Sequence, residues 1–216
     1  MVEVRIEQGA RGLTALLSRA LVLDAQASAR IQKVDEGQLD VFVTTPFDAI
    51  ASRRTSGTTT HPGATVRARV MLDALKSGAA EVGPARDAAW PGALPPASGF
   101  VAREEVPIGV ARRLADEGRN LARQFSGPAG PPRSLLDGVV LTADADSDNP
   151  VEIPMRMIFA CTSLGLIPGF EAPAEIPRHL RVSTSGSWVR LDAPFGSVYR
   201  STRPNLLFSP GGSNSS

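Results

Sequence analysis

Residues 154–166 form the most apolar segment of the chain, and such a segment can occupy few places in a folded protein. Arg156 is its only charged residue. The segment is shorter than the roughly 18 continuous apolar residues that a membrane span requires. A helix that is apolar on all sides must lie inside a core. We therefore expect a central helix at about 154–166, ended by Pro168 and Gly169.

The segments on both sides of this helix carry strand patterns. Apolar and polar residues alternate over 29–34 and 39–44, and the turn sequence Asp35-Glu36-Gly37 separates them, which predicts a hairpin. Residues 180–200 predict further antiparallel strands with turns at 185–186 and 193–196. Shorter patterns indicate strands at 2–6, 47–54 and 135–142.

Helical spacing recurs in two other places. One helix is expected from about residue 10 to the low twenties, and another begins at Pro107. The apolar stripe of the second helix is expected at Val110, Leu114, Gly118, Leu121 and Phe125, with another backbone packed close at Gly118. Residues 64–76 favour strand first and helix near the end. The mixture predicts an α+β fold of hairpin-built antiparallel sheets with inserted helices.

The domain organisation follows from composition. An N-terminal α+β lobe is expected at 1–83 and a C-terminal α+β lobe at 107–208, joined by an Ala-, Gly- and Pro-rich loop or linker at 84–106. Trp90 is expected to anchor that linker to the body. The tail at 209–216 is expected to be disordered. A single compact domain is the alternative.

Charge and composition exclude several classes of partner. The chain has 216 residues, is 42% hydrophobic and carries a net charge of +1, so no overall field favours nucleic acid or an anionic membrane. A single cysteine and the absence of a signal-peptide pattern predict a reducing, cytoplasmic location. Lysine is scarce beside arginine, which is typical of high-GC bacterial genomes such as those of actinobacteria.

Charge is uneven within the C-terminal half. Residues 137–175 carry seven acidic residues against Arg156 alone, whereas residues 178–203 carry five arginines against Asp192 alone. We expect these two segments to face and neutralise each other. A basic binding face is the alternative.

The densest polar cluster is RRTSGTTTHPG at residues 53–63. Arg53, Arg54, Ser56 and Thr58 are candidate ligand-binding residues, because guanidinium and hydroxyl groups hold phosphate or carboxylate. His61 is a weak candidate for a catalytic proton-transfer group. The alternative is an exposed loop between strands.

Other patterns argue against resident metals and cofactors. Asp144, Asp146 and Asp148 begin like a calcium loop, but Asn149 and Met155 occupy its discriminating glycine and glutamate positions. Cys161 lies in the apolar helix, where cysteine behaves as a small hydrophobic residue. Neither a phosphate-binding loop nor a dinucleotide fingerprint occurs. We therefore expect neither a metal nor a cofactor.

Two functional hypotheses remain. The first is a non-catalytic module that binds a protein partner or a small molecule and self-associates, with a homodimer as one form. The second is a small enzyme that acts on an anionic substrate through residues 53–61. The sequence does not decide whether the protein is an enzyme. The second hypothesis requires His61 and the hydroxyls to converge with an arginine in a pocket.

Overall fold

The structure is a computed structural model that describes residues 1–125, 132–169, 172–173 and 175–203. The expectation for the tail at 209–216 lies outside these residues. The helices are α1 (Ala10–Leu23), α2 (Ala68–Ser77), α3 (Ile108–Phe125), α4 (Arg133–Asp137) and α5 (Met155–Ser163). The strands are β1 (Val4–Gln8), β2 (Ser28–Asp35), β3 (Gln38–Thr44), β4 (Ile50–Thr59), β5 (Thr65–Arg67), β6 (Val101–Pro107), β7 (Val139–Ala143), β8 (Val151–Pro154), β9 (His179–Ser185), β10 (Trp188–Ala193) and β11 (Gly196–Ser201).

In the described part of the chain, nine strands form one antiparallel sheet, and β7 and β8 pair separately. The strand order is β5-β2-β3-β4-β11-β10-β9-β6. β4 from the N-terminal half of the chain therefore pairs with β11 from the C-terminal half. β4 is long enough to pair with β11 at its start and with β1 at its end. The α+β class is therefore confirmed, and one sheet runs through both predicted lobes.

The two faces of this sheet differ in what covers them. The helices cover one face over the main apolar core, which includes Leu13, Leu17, Val41 and Ala51. The outer face carries a smaller cluster in which Trp90 packs with Phe42 and Tyr199. Trp90 is only 7% exposed, so it holds the segment between α2 and β6 against the sheet as expected.

The apolar segment forms α5, whose residues Met155–Cys161 are all buried. Even Arg156 is buried there, with its guanidinium donating to Phe47 O at 2.9 Å. α3 packs against α5 through Ala111, Ala115 and Gly118, so the predicted stripe is wrong at Leu121, which is 44% exposed. The close neighbours of Gly118 are the α5 side chains of Met155 and Phe159, not another backbone.

Several boundaries differ from the sequence predictions. β4 continues to Thr59, so much of the segment expected as a loop is strand. Residues 65–77 begin with a strand of only three residues and continue as α2. The strand is short because the apolar residues that follow it also fit one face of a helix. The strand expected at 135–142 begins only at Val139, because α4 occupies its first part, and most of its residues are not buried. The expected linker at 84–106 ends in β6.

The expected neutralisation between the acidic and basic segments is also wrong for the described residues. The ion pairs of Arg181, Arg190 and His179 join Glu105 and Asp192, and none reaches an acidic residue of 137–175. In residues 1–125, 132–169, 172–173 and 175–203, no helix is long and apolar enough to span a membrane.

Candidate functional site

A concave pocket of about 350 Å³ lies where β4 meets β11, and we call it the seam pocket. Its walls come from β3, β4, β10, β11 and the turn between the last two strands. Most of its lining groups are polar or charged. The lining residues are Asp40, Ser52, Arg53, Arg54, Arg190, Asp192, Pro194, Phe195, Gly196, Ser197 and Tyr199.

Strand register explains why residues so distant in sequence meet here. Residues that face each other across paired strands place their side chains on the same face of the sheet. Ser52 lies opposite Ser197, which joins the two halves of the pocket. The same face carries the opposed pairs Asp40–Arg54, Asp192–Ser197 and Arg190–Tyr199.

Two arginine–aspartate pairs form the sides of the pocket. Arg54 donates from Nε and Nη2 to the two carboxylate oxygens of Asp40, at 2.9 and 2.7 Å. This hydrogen bond is the main reason that the pKa of Arg54 is raised. Arg190 Nε lies 2.9 Å from Asp192 Oδ2, and Ser197 Oγ donates to Asp192 Oδ1 at 2.6 Å. Both carboxylates are therefore already neutralised within the protein.

Arg53 differs from these two arginines. Its Nη1 donates to the carbonyl oxygen of Phe195, and no carboxylate in the described residues pairs with it. Burial lowers the pKa of Arg53, because removing the guanidinium from water disfavours its charged form. An arginine nevertheless remains charged near neutral pH. At the wall of the seam pocket, Arg53 thus places a partly buried positive charge against Gly12 of α1, without a carboxylate partner among the described residues.

Tyr199 supplies the other distinctive group. Its ring packs against Phe42 and Phe100, with centroids 5.6 and 5.9 Å apart, while its hydroxyl lies 3.5 Å from Ser52 Oγ. Burial raises the pKa of Tyr199, so the phenol stays protonated near neutral pH and is available as a donor. The pocket therefore offers donors to an acceptor or an anion.

The sequence-predicted site residues are only partly brought together. Arg53 and Arg54 both line the seam pocket. Ser56 and Thr58 lie further along β4, opposite β1, and do not line it. His61 lies beyond the strand, is exposed, and has its Nδ1 2.8 Å from Thr60 Oγ1. Because a strand advances by about 3.3 Å per residue, His61 is far from the arginines. This arrangement does not favour the enzyme hypothesis.

The single cysteine, in contrast, is removed from solvent. Cys161 is completely buried in α5, and burial raises the pKa of its thiol to about 12. A thiol with this pKa is almost wholly protonated at neutral pH and is a poor nucleophile. Within the ranges that the structure describes, no group of three or more His, Cys, Asp or Glu residues could hold a metal ion.

Sequence reasoning missed the half of the pocket that comes from β10 and β11. Arg190, Asp192, Ser197 and Tyr199 alternate with apolar residues along two predicted strands, which identifies them only as one face of a sheet. Their approach to Arg53 depends on the pairing of β11 with β4. No local pattern in the sequence indicates which strands pair over such a distance.

Comparisons with known proteins identify the family and the fold. The model of the family described as "Domain of unknown function (DUF8185)" matches residues 95–205, about half of the chain, so the chain belongs to that family. The model described as "Domain of unknown function (DUF8010)" matches residues 2–92. The two matches meet within the segment predicted as a linker. A search of the curated proteins finds no match.

The solved structures that resemble this chain include bacterial DNA polymerase sliding clamps. The clamp of Caulobacter crescentus aligns with a TM-score of 0.57 at 12% identity, over 93% of this chain and 65% of that one. The DnaN clamp of Bartonella birtlesii, bound to griselimycin, gives 0.54 at 14% identity, over 95% and 67%. The clamp of Bacillus subtilis gives 0.51 at 14%, over 96% and 67%. The chain thus shares the sliding-clamp fold and spans about two thirds of those chains.

Proposed function

We propose that this member of the DUF8185 family is a non-catalytic, protein-binding module whose seam pocket receives a carboxylate of its partner. The carboxylate is an acidic side chain or a chain terminus. The observation that carries the proposal is Arg53, a residue of the pocket wall whose partly buried guanidinium, next to Gly12 of α1, has no carboxylate partner in the described residues. An arginine in such a place forms strong, charge-assisted hydrogen bonds to a carboxylate.

The surroundings of Arg53 support a carboxylate on a protein partner. Asp40 and Asp192 are occupied by Arg54 and Arg190, so they oppose an incoming anion less than free carboxylates would. Pro194 and Phe195 add apolar area to the wall, which suits a side chain next to the carboxylate. The pocket's volume of about 350 Å³ lies at the lower end of the range for ligand sites.

The sliding-clamp fold and the placement of the reactive residues support a binding role over catalysis. His61 and Cys161 lie outside the seam pocket, and its hydroxyls have no neighbouring histidine among the lining residues. A nucleophilic hydroxyl requires a base within hydrogen-bonding reach. We therefore keep the hypothesis that the chain binds a protein partner, and we propose that this partner docks at the seam pocket.

The test selects random peptides for binding to the folded protein and measures the enriched peptides by calorimetry. We expect the enriched peptides to share an acidic residue or to require a free C-terminus. Arg53→Gln should weaken their binding about tenfold, since one charge-assisted hydrogen bond contributes roughly 1.5–3 kcal/mol. Arg113→Gln on the exposed side of α3 is the matched control and should leave the affinity unchanged.

Arg53 also donates a hydrogen bond to the carbonyl oxygen of Phe195, so Arg53→Gln could weaken binding by disturbing the fold. A second variant is therefore needed. Tyr199→Phe removes one donor from the pocket with little change in volume, and it should weaken the same peptides. Thermal unfolding of each variant establishes that it folds. Enriched peptides that bind Arg53→Gln and Tyr199→Phe as tightly as the natural protein would show that the seam pocket is not the docking point.

A further inference from the structure

A second, larger cavity of about 550 Å³ lies on another part of the molecule, between the β7–β8 hairpin and the ends of β9, β10 and β11. We call it the hairpin cavity. It shares no lining residue with the seam pocket. Its lining includes Arg103, Arg200, Val139, Val151, Val189 and Glu152.

Arg200 is the unusual residue of this cavity. It is half-buried near the end of β11, and its Nε is buried without a hydrogen-bond partner. Its side chain forms no ion pair or hydrogen bond with any residue that the structure describes. A buried donor without an acceptor is costly, so an oxygen atom supplied by a ligand would remove an existing penalty.

Arg103 adds a second guanidinium to the same cavity. Its Nε donates to Thr184 Oγ1 at 2.9 Å, which fixes the side chain, and its Nη1 lies 3.7 Å from Asp144 Oδ2. The cavity also contains Asp137, but that carboxylate accepts from Arg156. Glu152 also lines the cavity, and it is exposed whereas its neighbours on β8 are buried. The interior therefore favours a negative group near Arg200.

The remaining wall is apolar. Val139 and Val151 from the hairpin line the cavity together with Val189 of β10, which lies opposite Arg200 and therefore on the same face of the sheet. Apolar walls with a few convergent polar groups are typical of small-molecule sites, and the volume of about 550 Å³ falls within their usual range. We propose that the hairpin cavity binds a small oxyanion, a phosphate or a carboxylate, attached to an apolar or aromatic body, with Arg200 as the anion-binding residue.

The test is calorimetric titration of the full chain with phenyl phosphate, benzoate, inorganic phosphate and benzylamine. We expect phenyl phosphate or benzoate to bind saturably, inorganic phosphate to bind more weakly, and benzylamine not to bind. Arg200→Gln should weaken the bound anion at least tenfold, while Arg203→Gln, an exposed neighbour outside the cavity, should stay within twofold. Comparing the affinities for phenyl phosphate and benzoate shows whether the cavity prefers a phosphate or a carboxylate.

Two results would overturn the proposal. One is the absence of saturable binding by every anion up to about 10 mM, which corresponds to an interaction too weak to be specific. The other is equal affinity of the natural protein and Arg200→Gln. Neither result bears on the seam pocket, because the lining residues differ.

A stability measurement gives an independent result without any ligand. Removing the unpaired donor by Arg200→Met should raise the melting temperature of the free protein by about 2–4 °C, the shift expected per kcal/mol for a protein of this size. Arg203→Met should leave it unchanged. A lower melting temperature for Arg200→Met would mean that Arg200 stabilises the free protein, and would contradict the proposed role.

Discussion

At the scale of single residues, arginine side chains connect the two halves of this protein. Arg19 of α1 donates to Leu164 O, Arg53 of β4 donates to Phe195 O, and Arg156 of α5 donates to Phe47 O. Each of these guanidiniums uses backbone carbonyls, which are always present, as acceptors. Arginine, which outnumbers lysine in this chain, therefore has a structural use beyond genome composition.

Arg156 is the strongest of these connections. Its side chain is only 9% exposed, and it also pairs with Asp137 and lies 3.6 Å from Asp48. Arg156→Ala should lower the free energy of unfolding by about 2–4 kcal/mol, because it removes buried packing and leaves the Phe47 carbonyl without its donor. Urea unfolding followed by circular dichroism measures the change.

Arg119→Ala is the control for this prediction. Arg119 pairs with Asp116 on the exposed side of α3, and such pairs contribute less than about 1 kcal/mol. Equal losses for the two variants would show that Arg156 does not join the halves.

The structure brings two of the predicted ligand-binding residues together, and both lie on one strand. Arg53 and Arg54 were candidates because they are adjacent cations in a hydroxyl-rich segment, and both line the seam pocket. Asp40 and Tyr199 were not candidates, since each is an ordinary residue of a strand until its neighbours are known. The role of all these residues in binding remains a prediction.

At the scale of elements, the long strand β4 organises the fold. Its first part pairs with β11 and its last part pairs with β1. β4 therefore lies in the middle of the sheet, where the strands of the two halves of the chain meet. Close approach is essential at Gly57, where an added Cβ would lie 2.1 Å from the carbonyl oxygen of Arg5. That contact is with backbone, which cannot move aside as a flexible side chain does.

Gly57→Ala should therefore separate β1 from β4 and lower the free energy of unfolding by about 2 kcal/mol or more. Gly109→Ala is the matched control, because an added Cβ there meets open space in α3 and alanine is the better helix former. Hydrogen exchange of the β1 amides, together with urea unfolding, measures both effects. Retained protection of β1 in Gly57→Ala would contradict this account.

Periodicity was a sound guide to elements wherever one pattern dominated. The 29–44 hairpin, α1 and the three C-terminal strands were predicted close to their observed bounds. At 64–76 the predicted order of strand and helix is right but the helix begins earlier than expected, and at 135–142 a helix replaces the first part of the predicted strand, because apolar residues there fit both a strand face and a helix face. In such short segments the tertiary contacts, rather than local preference, select the element.

At the scale of the whole molecule, the near-zero net charge predicts weak interaction with nucleic acid. We expect no binding of a labelled DNA duplex at about 150 mM salt, because tight non-specific binding requires an excess of cations on one face. Fluorescence anisotropy at that salt and at about 50 mM measures the interaction. Affinity that falls steeply with salt would reveal phosphate contacts and would show that this prediction is wrong.

Self-association also belongs to this scale and remains a prediction. β6 ends the sheet, and its outer edge pairs with no other strand in the described residues. Unpaired strand edges supply the backbone donors and acceptors through which two chains can join. The bulge between Ala102 and Glu104 and the charged residues of β6 oppose such pairing. Whether two chains associate through β6 therefore depends on which strand edge of the second chain meets it.

The amino-acid sequence by itself determined the α+β class, the main hairpin, the helix α1 and the apolar character of the segment that became α5. These features arise from patterns within a few turns or strand lengths, where each residue's environment depends on its near neighbours. The tertiary structure alone decided that β4 pairs with β11, and hence that Arg54 and Tyr199 line one pocket and that Arg200 lines a cavity with Arg103. Pairing between distant strands depends on the packing of the complete core, which no local pattern records.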